Sequence, residues 1–202
     1  MTQPKHNDFF MNNSIIKKNA DAITEELNWL ARVIDTSIKL FFKQPCEYLS
    51  IYEIAPPDIS NDDSFYAEVL KRDQVDFSER IVMLLALAPH VKPELLDVFL
   101  IKNQPLDRLF TEFGGLKTDS YGGFIPTGET AAFILATNDL ENRFNLFNFF
   151  CDEHFFKKRN ILRLAKHESS EPYLSGALTL SLEYLSYLTV GVSKFTAQHI
   201  GF

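Results

Sequence analysis

This chain is poor in the residues that usually announce chemistry. Its two cysteines, Cys46 and Cys151, lie far apart and without CxxC spacing, so neither a disulfide framework nor a zinc motif is encoded. The five histidines, His6, His90, His154, His167 and His199, form no HxxxH or HExxH pattern. There is no GxSxG, which removes the usual signature of a serine nucleophile. No apolar run approaches the roughly 20 residues of a transmembrane helix. The opening MTQPKHNDFF lacks the apolar stretch of a secretory signal. A cytoplasmic protein with reduced thiols is the expectation. The net charge of −7 works against non-specific binding to nucleic acid or anionic lipid, both of which need a cationic field.

Apolar and aromatic residues are abundant. Hydrophobic residues make up 46% of the 202, and 19 are phenylalanine, enough for a sizeable core and for cores or contact surfaces built from flat rings. The stretch DFSERIVMLLALAPHVKPELLDVFLIK, residues 76–102, organises the rest. Ile81 to Ala88 is unbroken apolar sequence, and a helix with no wet face belongs inside a core. Asp76 and Glu79 form a capping box at its start, Pro89 is expected to stop it, and Pro93 opens a second helix.

Ahead of that pair, residues 1–18 are expected to form a mobile polar arm. A long helix is predicted over 19–42, with Ile23, Leu27, Leu30, Ile34, Ile38 and Phe41 on one stripe. That stripe could face the domain's own core or a helix of another chain. Residues 45–63, with Pro56-Pro57, look like a linker, and Ser64 caps a short helix from Phe65 to Arg72. From Thr111 to Gly128 lie five of the eight glycines, which predicts a long irregular loop of functional use. Thr127 and Asp139 each cap a helix, the second carrying six phenylalanines between Phe144 and Phe156. Short alternating segments at 160–167 and 177–181 predict a hairpin. LEYLSYLTV reads as a last helix before a tail at 191–202. The expected fold is mainly α with a small β-hairpin: a long N-terminal helix, then a winged-helix-like helical domain whose core spans 64–190.

Three motifs invite a chemical reading. Gly123 to Thr130 matches a phosphate-binding loop except that Glu129 replaces the lysine, and a carboxylate there repels phosphate. Asp152-Glu153-His154 could suggest a metal, but adjacent helical residues point in different directions. Lys157, Lys158, Arg159, Arg163 and Lys166 make a basic patch at the entrance to the hairpin, able to meet DNA backbone, an acidic partner or only solvent. No catalytic, cofactor-binding or metal residues are assigned. Phe113, Tyr121 and Phe124, interleaved with glycine pairs, are the expected partner-binding residues.

Four stretches carry a family resemblance: PPDISNDDSFYAEVLKR (56–72), DFSERIVMLLALAPHVKPELLD (76–97), TEFGGLKTDSYGGFIPTGETAAFILA (111–136) and PYLSGALTLSLEYLSYLT (172–189). Together they resemble the N-terminal, winged-helix-like region that precedes the AAA ATPase module of bacterial contractile, phage-tail-like injection systems. FGG…GGF-PTGET is the most specific part. The resemblance implies a non-catalytic adaptor domain that engages an assembly component or positions the ATPase. FTAQHI (195–200) resembles the start of the connection to that module, whose Walker motifs are not among these residues. It implies a protein partner, no membrane and no cofactor. The alternative expectation is a winged-helix DNA-binding regulator that uses the basic patch.

Overall fold

The computed structural model describes residues 6–137, 139–165 and 170–191. The fold is mainly helical, with three two-stranded antiparallel ladders among the described residues. Lys166 of the basic patch, residues 1–5 of the expected arm, and all of the expected tail except Gly191 lie outside the described residues.

Helix α3 (Phe77–Val91) is the centre. Every residue from Arg80 to Ala88 is buried, and Leu84 and Leu85 are 0% exposed. Its start is the capping box expected from sequence: Glu79 N–H donates to Asp76 Oδ1 at 2.8 Å, and Asp76 N–H to Glu79 Oε2 at 2.8 Å. Its end differs from expectation. Pro89 lies inside the helix, which continues to Val91 and is closed by Lys92 N–H donating to Ala88 O at 2.8 Å. Pro89 lacks the N–H that would bond Leu85 O, and only His90 and Val91 follow it in the helix. The segment expected as a second α-helix is a 3-10 helix, Pro93–Leu100, with Leu96 and Phe99 buried. That spacing of three matches its three residues per turn.

Helix α1 (His6–Phe41) lies against this centre, and it starts well before the expected Asn19. Residues from His6 onward are therefore helical rather than an arm. Asn19, read from sequence as the helix start, is buried within it. Its amide donates to Thr189 O at 3.0 Å and its carbonyl accepts from Phe65 N–H at 3.0 Å. The predicted stripe faces the protein's own core, along with Trp29 and Val33 at 0% exposure. The segment expected as a linker is also packed. Ile51 and Ile54 are buried, and Ile54 O accepts the Trp29 indole N–H at 3.0 Å. Helix α2 (Phe65–Asp73) carries the Ser64 cap as expected.

A buried polar knot joins α1 to α3. The Arg80 guanidinium meets the Glu26 carboxylate, with Nε to Oε2 at 2.7 Å and a second contact from Nη2 to Oε1. Tyr66 Oη donates to Glu26 at 3.2 Å, Arg80 donates to Pro57 O at 3.0 Å, and the guanidinium sits 5.3 Å from the Trp29 ring centroid. Burial pushes the Glu26 carboxyl above the ordinary glutamate range, against the opposing pull of Arg80.

The expected glycine loop is instead built structure: a 3-10 turn (Thr111–Phe113), then a hairpin of β3 (Leu116–Thr118) and β4 (Tyr121–Ile125). It follows a minimal ladder of β1 (Lys102–Asn103) and β2 (Arg108–Leu109). Helices α4 (Gly128–Ala136), α5 (Leu140–Asn148) and α6 (Phe155–Lys158) come next. The predicted late hairpin is present, with β5 (Leu162–Leu164) pairing antiparallel to β6 (Leu178–Leu180) through Leu162↔Leu180, Arg163↔Thr179 and Leu164↔Leu178. Helix α7 (Leu182–Val190) closes on Gly191 in the left-handed conformation.

Two stability outcomes follow. Leu84→Ala or Leu85→Ala is expected to cost about 2–5 kcal/mol, transfer term plus cavity. Chemical denaturation checks this, and a loss below about 1 kcal/mol removes α3 from the centre. For the polar knot, Arg80→Met alone leaves a buried carboxylate and is expected to cost about 3–5 kcal/mol, most of which the double variant with Glu26→Leu recovers. The folded chain holds the Glu26 proton more tightly than the unfolded chain. This carboxyl's contribution is thus full below the unfolded glutamate pKa and is lost as pH rises through the folded value. Glu26→Gln is expected to remove that part of the pH dependence, read as denaturation midpoints across the acid range.

Candidate functional site

The residues expected to bind a partner separate into two groups. Phe113 is 0% exposed and Phe124 1%, so neither ring is available to another molecule. They belong to a ring cluster with Phe99 and Phe133, the Phe113 and Phe133 centroids lying 4.7 Å apart and those of Phe99 and Phe124 5.1 Å. The correction has a physical cause: the glycines fit the backbone around the rings rather than presenting them. At Gly115, φ is +84° and a Cβ would stand 2.1 Å from the Phe124 ring. Tyr121 is half-buried. Its ring lies over Gly123, and its hydroxyl has no hydrogen-bond partner among the described residues.

The phosphate-loop look-alike is a helix cap. Thr127 and Thr130 bond each other's backbone N–H reciprocally, and Thr130 Oγ1 also donates to Phe113 O at 2.9 Å. Glu129 accepts from Arg143 Nη2 at 2.7 Å through each carboxylate oxygen, which pins α5 to α4. Asp152-Glu153-His154 is likewise local. His154 Nδ1 caps α6 by accepting from Phe156 N–H at 3.3 Å, so Nε2 is the nitrogen that donates to Glu79 Oε1 at 2.9 Å. Among the described residues no group of three or more His, Cys, Asp or Glu side chains could hold a metal ion. His90 lies in the last turn of α3, and desolvation holds its imidazole below the ordinary histidine range.

The basic patch is smaller than its sequence. Arg159 pairs with Asp73 at 2.8 Å, and Asp73 also takes Arg72 at 2.8 Å. Lys157 lies 3.7 Å from Asp152. Lys158 and Arg163 remain exposed, with no carboxylate partner among the described residues.

The face that stands open is on α5, where sequence reasoning did not look. Leu140 and Phe144 are each 63% exposed, and Phe147 is 41%. Their i, i+4, i+7 spacing puts them on one stripe. Tyr173 extends the stripe, its ring stacked on Phe147 with centroids 5.7 Å apart and planes 19° from parallel. Tyr173 also walls a cleft of about 300 Å³ floored by Phe149, Phe150 and Leu162, with Lys157 and Arg163 along it. Burial, with Cys151 and Asp152 nearby, pushes the Tyr173 phenol up, so it stays protonated and donates to Phe150 O at 3.5 Å. The stripe was present in the sequence, but Leu146 falls between its members and Phe149 and Phe150 follow directly after it. The segment therefore reads as apolar on several sides, and only packing against α4 decides which side is left outside.

No helix among the described residues is long and apolar enough to cross a membrane. No family model, no curated protein and no solved structure matches the chain.

Proposed function

We propose that this chain is a non-catalytic protein-interaction domain that engages a component of a larger protein assembly through the outward face of α5. The carrying observation is the run of Leu140, Phe144, Phe147 and Tyr173, four large side chains left exposed together. Contiguous exposed rings of this kind mark contact surfaces, and aromatic anchors supply much of the binding energy in such contacts. The sequence resemblance narrows the proposal to an adaptor of the kind found before the AAA module of contractile injection systems. A winged-helix-like arrangement is part of the same proposal, supported by the β5–β6 hairpin that follows the helices. Glu129, held by Arg143 at the position where a nucleotide-binding loop carries lysine, supports a role without ATP turnover. The two free thiols, Cys46 and Cys151, fit a reducing cytoplasm. The DNA-binding reading loses ground because Lys157 and Arg159 are engaged by acids of the same fold.

The test is capture of purified injection-assembly components, and of an AAA module, by the immobilised chain. Phe144→Asp is expected to weaken capture at least about tenfold, roughly 1.4 kcal/mol. Its melting temperature is expected to stay unchanged, because the ring is mostly in water. Tyr121→Ala in parallel separates the α5 face from the glycine hairpin. Loss with Tyr121→Ala alone, or unchanged capture by Phe144→Asp, overturns the assignment to α5.

A further inference from the structure

We infer that the free edge of β5 takes up an extended segment of a partner protein, which adds to the β5–β6 ladder as a further strand. This is a second contact, and it stands whether or not the α5 face binds anything.

The hydrogen-bond pattern fixes which way each residue of β5 faces. Ala165 N–H donates to Ala177 O at 2.7 Å, and Ser181 N–H donates to Ile161 O at 2.8 Å. Leu178 N–H turns the other way, to Pro126 O at 2.9 Å. With Arg163 opposite Thr179, residues 161, 163 and 165 direct their main-chain groups at β6. Leu162 and Leu164 direct theirs away from it. Their N–H and C=O groups have no hydrogen-bond partner there among the described residues. Leu162 is 3% exposed, so water has little access to its main chain. Main-chain groups left buried and unpaired are rare, because each forfeits a hydrogen bond.

A cleft of about 300 Å³ lies along this edge, lined by the four consecutive residues Leu162 to Ala165. Successive side chains of a strand point to opposite faces, so a cleft touching all four runs along the edge rather than over one face. Outward N–H and C=O groups in alternation are satisfied by the main chain of another strand, which supplies both at the same spacing. The edge is about 10 Å long, so roughly four extended residues cover it. Phe149, Phe150 and Tyr173 also line the cleft, which calls for an apolar side chain on the incoming segment. Charge does not choose the occupant, since Lys157 and Arg163 lie along the cleft while Asp152 is 3.7 Å from Lys157. A second copy does not fit, because its own β5 edge is recessed behind the same rings and paired strands lie about 4.8 Å apart. A free extended segment enters without that obstacle.

The experiment is amide-resolved NMR on the full chain. The probes are peptides of about seven residues that alternate threonine with valine, leucine or phenylalanine, titrated to about 1 mM. At least one peptide is expected to shift the Leu162 and Leu164 amides saturably and to slow their hydrogen exchange. Two N-methylated forms of that peptide, covering alternate residues, keep its side chains, and one of them is expected to bind at least about tenfold more weakly. Leu164→Pro removes an outward donor and no ladder bond, a change tolerated at an edge, and is expected to weaken binding about tenfold. Leu164→Ala keeps the donor and is expected to bind better than Leu164→Pro. If Leu164→Pro does not fold, the N-methylated peptides decide. The inference is overturned if no peptide shifts both amides, or if both N-methylated forms bind like the parent. It is also overturned if the two amides are already protected in the free chain, which means that the chain's own segment fills the edge. Protection that rises with protein concentration assigns the edge to a second copy, with the same consequence. Phe144→Asp is expected to take the peptide as the wild type does. Loss of peptide binding with capture through Phe144 intact therefore removes this inference alone, and the reverse pattern removes only the α5 assignment.

Discussion

A helix with no wet face has to be enclosed, and α3 imposes that requirement on everything around it. Ile81 to Ala88 would leave apolar surface in water on any side not covered. The coverage comes from distant parts of the chain: α1, α4, the 3-10 helix at 93–100, and the strands β4 and β6 all contact it. Arg80 is the one charged residue inside the enclosed stretch, and its guanidinium determines how α1 lies. Sliding α1 along α3 would separate Glu26 from Arg80 and leave two charges buried without partners. Because Arg80 also bonds Pro57 O, the same charge ties down the chain between α1 and α2. Enclosure drives the packing and the ion pair sets its register.

Local rules were readable where a single residue type decides the outcome. Asp76, Ser64, Thr127 and Asp139 each cap the helix that follows, because a short side chain must satisfy N–H groups at that end. The α1 stripe was readable because its spacing repeats over many turns. The errors fall where tertiary contacts override local preference. Pro89 was read as a stop, but two more residues of helix still fit beyond it. The glycine pairs were read as freedom, whereas at Gly114 and Gly115 positive φ and a close approach are fixed by the threonine cap and the Phe124 ring. Pro56-Pro57 was read as a break between units, yet a proline without its N–H still offers a carbonyl, and Pro57 uses it on Arg80.

The candidate site shows the same limit from the other side. Aromatic residues between glycines looked presented, and two of the three proved to be core. The rings that are presented lie on α5, a helix with too many apolar residues for its period to identify an outside. Among the phenylalanines whose side chains are described, Phe144 and Phe147 are the most exposed. Composition suggested cores or contact surfaces built from flat rings, and which rings stay outside depended on which face of α5 meets α4.

The distribution of charge bears on what such a face selects. Five cations within ten residues look like a field, but a field requires that they be uncompensated. Asp73 neutralises Arg159 and shares itself with Arg72, while Asp152 lies near Lys157. Arg163 and Lys158 remain exposed without a carboxylate partner among the described residues, on a chain that is acidic overall. A polyanion reads total field and is repelled at range by the net −7. A protein surface reads only what lies within a few ångströms, and around the exposed rings that is a mixture of the acids Asp139, Glu141 and Asp152 with the base Arg163. On the proposed reading the contact is short-range and apolar-anchored rather than long-range and electrostatic, because the two kinds of partner sample the same charges over different distances.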